Sequence, residues 1–242
     1  MEFYTELQQK MKEIVSQNNL DDEDILISTT TLTTEEAIGI TKRKDFPLLN
    51  GKEVLMEANF KGSIGQAFTD SPTVFNGSIK DILDLDMSDN RNKVLFIASL
   101  NAILKHLNLI ENTIHCKNEE PEECAKDIVE HIKDKYGNVR IGMIGFQPAI
   151  IDNLRKDFSI RVLDLDKNNI GKKKYDLLIE DGRTNTNEVI KWAEILLVTG
   201  STVTNGTIVN FLNIQKPVLF YGTTIAGVAY LKGLNRICFC SK

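Results

Sequence analysis

The sequence predicts an α/β fold, a mainly parallel sheet with helices on both faces, preceded by a smaller α+β unit of one helix and antiparallel strands. Three observations predict it. From Val139 onward, short apolar runs (Val139–Gly145, Ile160–Leu165, Leu177–Glu180, Ile195–Thr199, Pro217–Tyr221 and Arg236–Phe239) alternate with segments of helical character. Before that point the chain reads as a helix followed by Thr-rich strands. Between the two, Val94–Leu107 is apolar almost all round, the mark of a buried helix. The division is expected between Ile110 and Asn138, giving blocks 1–110 and 111–242.

Taken in order, Phe3, Leu7, Met11 and Ile14 repeat at the spacing of one helical face. Ile25, Ile27 and the Thr-rich run to Thr34 read as a strand, with Ala37–Thr41 as its partner. Phe46–Ala58 reads as a hairpin turning at Asn50-Gly51. Gly62–Pro72 (GSIGQAFTDSP) is too glycine-rich and polar for a core strand; it is either an Ω-loop or a contributor to a cleft. Ser78–Leu85 reads as a short helix, and Asn101, inside the buried one, must find partners among structural groups or in a ligand. In the second block, helices are expected at Ala149–Phe158, Asn187–Ala193, Gly206–Leu212 and Ile225–Leu231.

Composition excludes several classes. A net charge of −5 over 242 residues, with no basic stripe, argues against a nucleic-acid partner. The longest nearly apolar stretch, Val94–Leu104, is too short to span a bilayer, so no membrane partner is expected. Residues 1–20 carry charge throughout and offer no signal-peptide core, so a cytoplasmic location is expected, with the four cysteines as thiols.

In an open parallel sheet, ligands sit at the carboxyl ends of the strands, near the reversal of strand order. Three such ends are polar or glycine-rich: Gly145-Phe146-Gln147-Pro148, Thr199-Gly200-Ser201-Thr202 and Tyr221-Gly222-Thr223-Thr224. In VTGSTVTNGTIVNF the strand runs into a helix whose N–H groups could hold a ligand oxygen, or which Thr204 or Asn205 simply caps. The loop after Val139–Gly145 fails the dinucleotide fingerprint, because Gln147-Pro148 stands where glycines are needed, which disfavours NAD. Asp164 and Asp166 fit a ribose-binding acid or a polar turn equally well.

HCKNEEPEECA holds soft donors at His115, Cys116 and Cys124, while its glutamates around Pro121 read as a helix start. Cys238 and Cys240 alternate on a terminal strand and read as buried small apolar groups, and His106 and His131 as surface residues. No serine–histidine–acid triad can be drawn from three histidines without a spaced nucleophile.

GQAFTD, HCKNEEPEECA, IGMIGFQPAI, VLDLDKNNIG, LVTGSTVTNGTI and YGTTIAGVAYL occur in an order that resembles the bacterial and archaeal family catalogued as "putative heavy-metal chelation". The resemblance runs from about Gly51 to Cys238. It implies an enolase N-terminal-like domain joined to a Rossmann-like domain, with a site in the cleft between them. It further implies Gln66 and Asp70 from the first domain, and Thr199, Gly200, Ser201, Thr202, Asn205, Thr223 and Thr224 from the second, as ligand-binding residues. His115 and Cys116 would be the metal donors. No reaction comes with the resemblance. The expected function is binding of a transition or heavy metal ion, or a metal-bearing small ligand, in that cleft. The alternative is an enzyme or sensor for a metal-free anionic or heterocyclic ligand at the carboxyl edge of the sheet.

Overall fold

A computed structural model describes residues 2–20 and 26–242. Helix α1 (Glu2–Gln17) buries Phe3, Leu7 and Met11 as its periodicity predicts, together with Tyr4 and Val15. Strand β1 (Leu26–Thr31) follows; the expected strand residue Ile25 lies outside the described residues. The proposed partner at Ala37–Thr41 is instead helix α2 (Thr34–Ile38). Thr33 and Glu36 form a reciprocal capping box there, a local signal that outweighs the apolar spacing.

The Asn50-Gly51 hairpin is also corrected. Pro47, pre-set for a first helical turn, starts helix α3 (Pro47–Asn50), and the Gly51 N–H closes that turn on the Pro47 carbonyl. The hairpin lies one step later, between β2 (Val54–Phe60) and β3 (Ser63–Thr69). Its two-residue turn, Lys61-Gly62, has φ of 49° and 83°, the double positive φ that suits the twist of paired strands. The segment Gly62–Pro72 is therefore mostly strand, not an Ω-loop. β4 (Phe75–Ser78) completes a four-stranded antiparallel sheet in the order β3-β2-β1-β4.

Helix α4 (Ile79–Leu83) leads to α5 (Asn90–His106), which buries every residue from Lys93 to Leu104. One side of α5 packs on β2 and β3; another meets the second half of the chain. Gly65 makes the first contact: a Cβ there would stand 2.2 Å from the Ala102 nitrogen and 2.4 Å from the Ala98 oxygen. Backbone cannot yield as a side-chain tip can. Gly65→Ala is expected to lower the unfolding free energy by about 3 kcal/mol, read by urea denaturation.

Helix α6 (Glu120–Tyr136) has Pro121 in its first turn among glutamates, as expected. Then come β5 (Ile141–Ile144), α7 (Pro148–Leu154), β6 (Ile160–Asp164), β7 (Lys173–Lys174), β8 (Leu177–Asp181), α8 (Thr186–Trp192) and β9 (Ile195–Thr199). After β10 (Val218–Tyr221), α9 (Ala226–Lys232) and β11 (Arg236–Ile237) complete a sheet ordered β11-β10-β9-β5-β6-β8-β7, parallel except for β7 against β8. Alternate residues of β9 serve opposite faces. Leu196 and Val198 join a core with α5, α8 and α9, while Ile195 and Leu197 join one with α6 and α7. The first core runs without a break from Phe60 and Ile97 to Phe220 and Val228, so both sheets share it through α5.

Candidate functional site

Strand order turns back between β5 and β9, since the chain runs from β5 outward through β6 and β8 and then returns to the other side of β5. A crevice opens at the carboxyl ends of such strands. A cavity of about 840 Å³ lies there. Its sheet wall holds Gly145, Phe146, Asp164, Thr199 and Tyr221; its facing wall, from the first half of the chain, holds Phe46, Glu53, Phe68 and Asp70. Gly145 is the tight point: a Cβ there would meet Thr199 Cγ2 at 2.6 Å.

The loop after β9 differs from the expected strand-to-helix passage. Two 3₁₀ turns, Gly200–Val203 and Thr207–Phe211, replace the α-helix, and Thr199 rather than Thr204 or Asn205 caps the first. Gly206 in the left-handed region breaks the run between them. No α-helix directly follows β9, so the polarity of this loop comes from its side chains and turn backbone rather than from a helix dipole. Ser201 Oγ and Thr199 Oγ1 are 3.0 Å apart, and Thr202 Oγ1 donates to the Thr199 carbonyl at 2.8 Å. Asn205 Oδ1 accepts from the Thr207 N–H at 3.0 Å. Thr199, Gly200, Ser201, Thr202, Asn205 and Thr224 all line the cavity, as do Asp70, His115 and Cys116.

Gln66 and Thr223 do not. Gln66 is 1% exposed; its Nε2 donates to Glu57 at 2.8 Å and its Oε1 accepts from the His115 N–H at 2.7 Å. It positions the His115 segment instead of facing a ligand. Thr223 is fully buried, and its carbonyl accepts from Asn101. Thr224 Oγ1 accepts from the Phe68 N–H at 3.0 Å, and Thr204 Oγ1 donates to the Phe68 carbonyl at 2.7 Å, which ties the two walls together. Asn101 resolves as structural: Nδ2 donates to the carbonyls of Gln66, Thr223 and Thr224, and Oδ1 accepts from the Gly227 N–H at 2.8 Å.

Electrostatically the cavity is acidic within and basic at its rim. Burial, with Asp164, Asp70 and Asp166 nearby, pushes the Glu53 carboxyl up to about 7. Burial also raises Asp164, against hydrogen bonds from Asn169 and the Leu165 and Asp166 N–H groups that pull the other way. Lys52, Lys167 and Arg183 lie exposed at the mouth. Glu53 escaped the sequence reading because nothing in Gly51-Lys52-Glu53 announces a buried carboxyl; its role depends on β6, far along the chain.

His115 and Cys116, the expected metal donors, stand side by side in the cavity lining. They lie in an irregular segment, and burial moves both away from their charged forms. The imidazole is pushed down to about 4, with Nδ1 buried and without a hydrogen-bond partner, and Phe68 stands edge-on to the ring at 5.1 Å. Among the described residues no group of three or more His, Cys, Asp or Glu side chains could hold a metal ion. A closed tetrahedral zinc site therefore does not fit. The thiols are arranged otherwise than predicted: β11 ends at Ile237, so Cys238 and Cys240 do not alternate on a strand. The tail turns back, exchanging backbone hydrogen bonds between Lys242 and Ile114, so that Cys238 lines the cavity with Cys124 while Cys240 reaches Asp127 at 3.9 Å. His106 and His131 are half-buried against Phe60 and Phe239 rather than free on the surface.

Residues 127–227 match the DUF364 family, described as "Putative heavy-metal chelation". The matched segment holds β5 to β10 and most of the sheet wall. Two solved structures of that family, both of proteins of unknown function, align along nearly the whole chain. One, from Pyrococcus horikoshii, has a TM-score of 0.56 at 15% identity, over 92% of this chain and 79% of that one. The other, from Desulfitobacterium hafniense, has a TM-score of 0.50 at 13% identity, over 93% and 85%. At such identities the likeness is one of fold. No curated protein matches the sequence. No helix among the described residues is long and apolar enough to cross a membrane.

Proposed function

We propose that the cavity binds a small heterocyclic molecule that presents N–H or amino donors, held between aromatic walls and read by Glu53 and Asp164. The observation that carries this reading is the pair of raised carboxyls, one from each half of the chain, inside a cavity of ligand size. Carboxyls in such surroundings favour a partner that donates hydrogen bonds or carries positive charge. The same acids disfavour the anionic ligand that the hydroxyl-rich loops suggested. Phe68 and Phe146 offer apolar faces, and the Thr199 and Ser201 hydroxyls supply both donors and acceptors. Glu53 holds its proton near neutral pH, which equips it as a general acid or base should the ligand be a substrate.

A thermal-shift screen of nucleobases, amino-substituted heterocycles, nucleotides and carboxylates tests the reading. An amino heterocycle at a hundredfold excess over its Kd is expected to raise Tm by roughly 5–10 °C. The shift should shrink in Ser201→Ala and more so in Glu53→Gln. Stabilisation by simple carboxylates alone, undiminished in Glu53→Gln, would overturn it.

A further inference from the structure

Helix α5 buries a lysine without an acid to match it. Lys93 is 9% exposed, yet among the described residues its ammonium makes no ion pair with a carboxylate. The acid one turn back, Asp89, is taken up by Arg91, whose side chain donates to it at 2.7 Å and whose backbone N–H donates at 2.9 Å. Of its three N–H groups Lys93 gives one to Asn90 Oδ1 at 2.9 Å, and the ammonium stands 5.4 Å from the centre of the Tyr4 ring. A buried charge with so few partners is costly unless a counter-charge completes it.

The tip of Lys93 reaches the border of the cavity from behind. A Cβ on Gly206 would lie 3.2 Å from Nζ, and the residues on either side of Gly206, Asn205 and Thr207, line the cavity, as does Asn90. Both asparagines are oriented. The ammonium can only donate, so it fixes Asn90 Oδ1 and leaves Nδ2 to face elsewhere. The Thr207 N–H and hydroxyl, at 3.0 and 2.7 Å, do the same for Asn205. Two amide donors and one buried positive charge thus gather at one border of a cavity whose carboxyls, Asp70, Asp164 and Asp166, group around Glu53.

We infer that Asn90, Asn205 and Lys93 form a subsite for an oxyanion, a phosphate or carboxylate group carried by the ligand of the cavity. The inference deepens the reading above, on which it rests for the remainder of the ligand: an amino heterocycle whose acid group is held apart from Glu53. Lys93 supplies the charge, and the two amides supply direction.

The test is calorimetric titration of the full chain with inorganic phosphate at constant ionic strength, with chloride making up the balance. Wild type is expected to bind phosphate, and Lys93→Met to bind it at least about tenfold more weakly, as loss of a charge-assisted hydrogen bond does. Lys61→Met, the same loss of charge in the β2–β3 turn, should bind as wild type does. Asn90→Asp covers the case in which Lys93→Met fails to fold: its carboxylate supplies the missing counter-charge, so Tm in chloride should rise while phosphate binding is lost. A nucleoside 5′-monophosphate compared with its nucleoside then identifies the source of the oxyanion. A gain of about tenfold for the monophosphate, absent in Lys93→Met, places it on the ligand; phosphate binding without that gain would overturn the ligand-borne assignment. Absence of phosphate binding by wild type, or equal binding by wild type, Lys93→Met and Asn90→Asp, would overturn the subsite itself. The heterocycle panel keeps the two readings apart, since phosphate binding that depends on Lys93 without any heterocycle response would sink the carboxyl reading alone.

Discussion

Glu53→Gln is expected to raise the unfolding free energy by about 3 kcal/mol above pH 7, and to leave it unchanged below about pH 4.5. In the folded protein the carboxyl titrates at about 7, against an ordinary value of 4.5. Between those values the folded state holds a proton that the unfolded state has released. Wild-type stability from this group is therefore intact at low pH, and is lost as pH rises through 7. Glutamine, unable to ionise, keeps it. His115 works in the opposite sense. Its folded value of about 4 lies below the ordinary 6.5, so stability is present above 6.5 and lost as pH falls toward 4. Over pH 4.5–6.5 the two slopes nearly cancel in wild type, and Glu53→Gln should uncover the His115 slope of ~1.4 kcal/mol per pH unit. Urea denaturation of both proteins across pH 4.5–8 measures this. Two curves separated by a constant offset would show that Glu53 is not the buried acid described above.

Asn101→Ala is expected to cost about 3 kcal/mol, since it leaves the buried Gly227 N–H and three carbonyls without their partner and opens a small void. Its consequence reaches the cavity. The amide fastens α5 at once to Gln66 on β3 and to the Thr223-Thr224 turn, and Thr224 in turn holds Phe68. Asn101→Asp should be at least as damaging, because an ionised carboxylate cannot donate to those carbonyls. Heterocycle binding should weaken together with the urea midpoint in both variants. An Asn101→Leu protein as stable as wild type would instead assign the residue a packing role.

The second half of the fold was legible because its central parallel strands, buried on both faces, write continuous apolar runs, and helices α7, α8 and α9 separate several of them. Helix α5 was legible for a related reason: it is covered on all sides and is therefore apolar on all sides. The first half was misread where local chemistry competes with periodicity. Thr33 and Glu36 cap a helix, Pro47 starts another, and the positive φ at Lys61 falls on a residue with no turn preference to advertise. The loop chemistry of Thr199–Thr202 was visible as small hydroxyl residues at a strand end. That Gln66 would turn away from the cavity was not, because the choice depends on Glu57 opposite it and on the His115 backbone beside it.

By itself, then, the sequence determined the α/β architecture, the carboxyl-edge placement of the polar loops and the burial of Asn101, all consequences of patterns within one element or the next. Only the tertiary structure decided that Glu53 stands near Asp164 and that Gln66 turns from the cavity to hold the His115 backbone. A carboxyl or a thiol is the same group wherever it is written along the chain. Its charge state and reactivity come from distance and burial in space, and those exist only after the two halves have closed on each other.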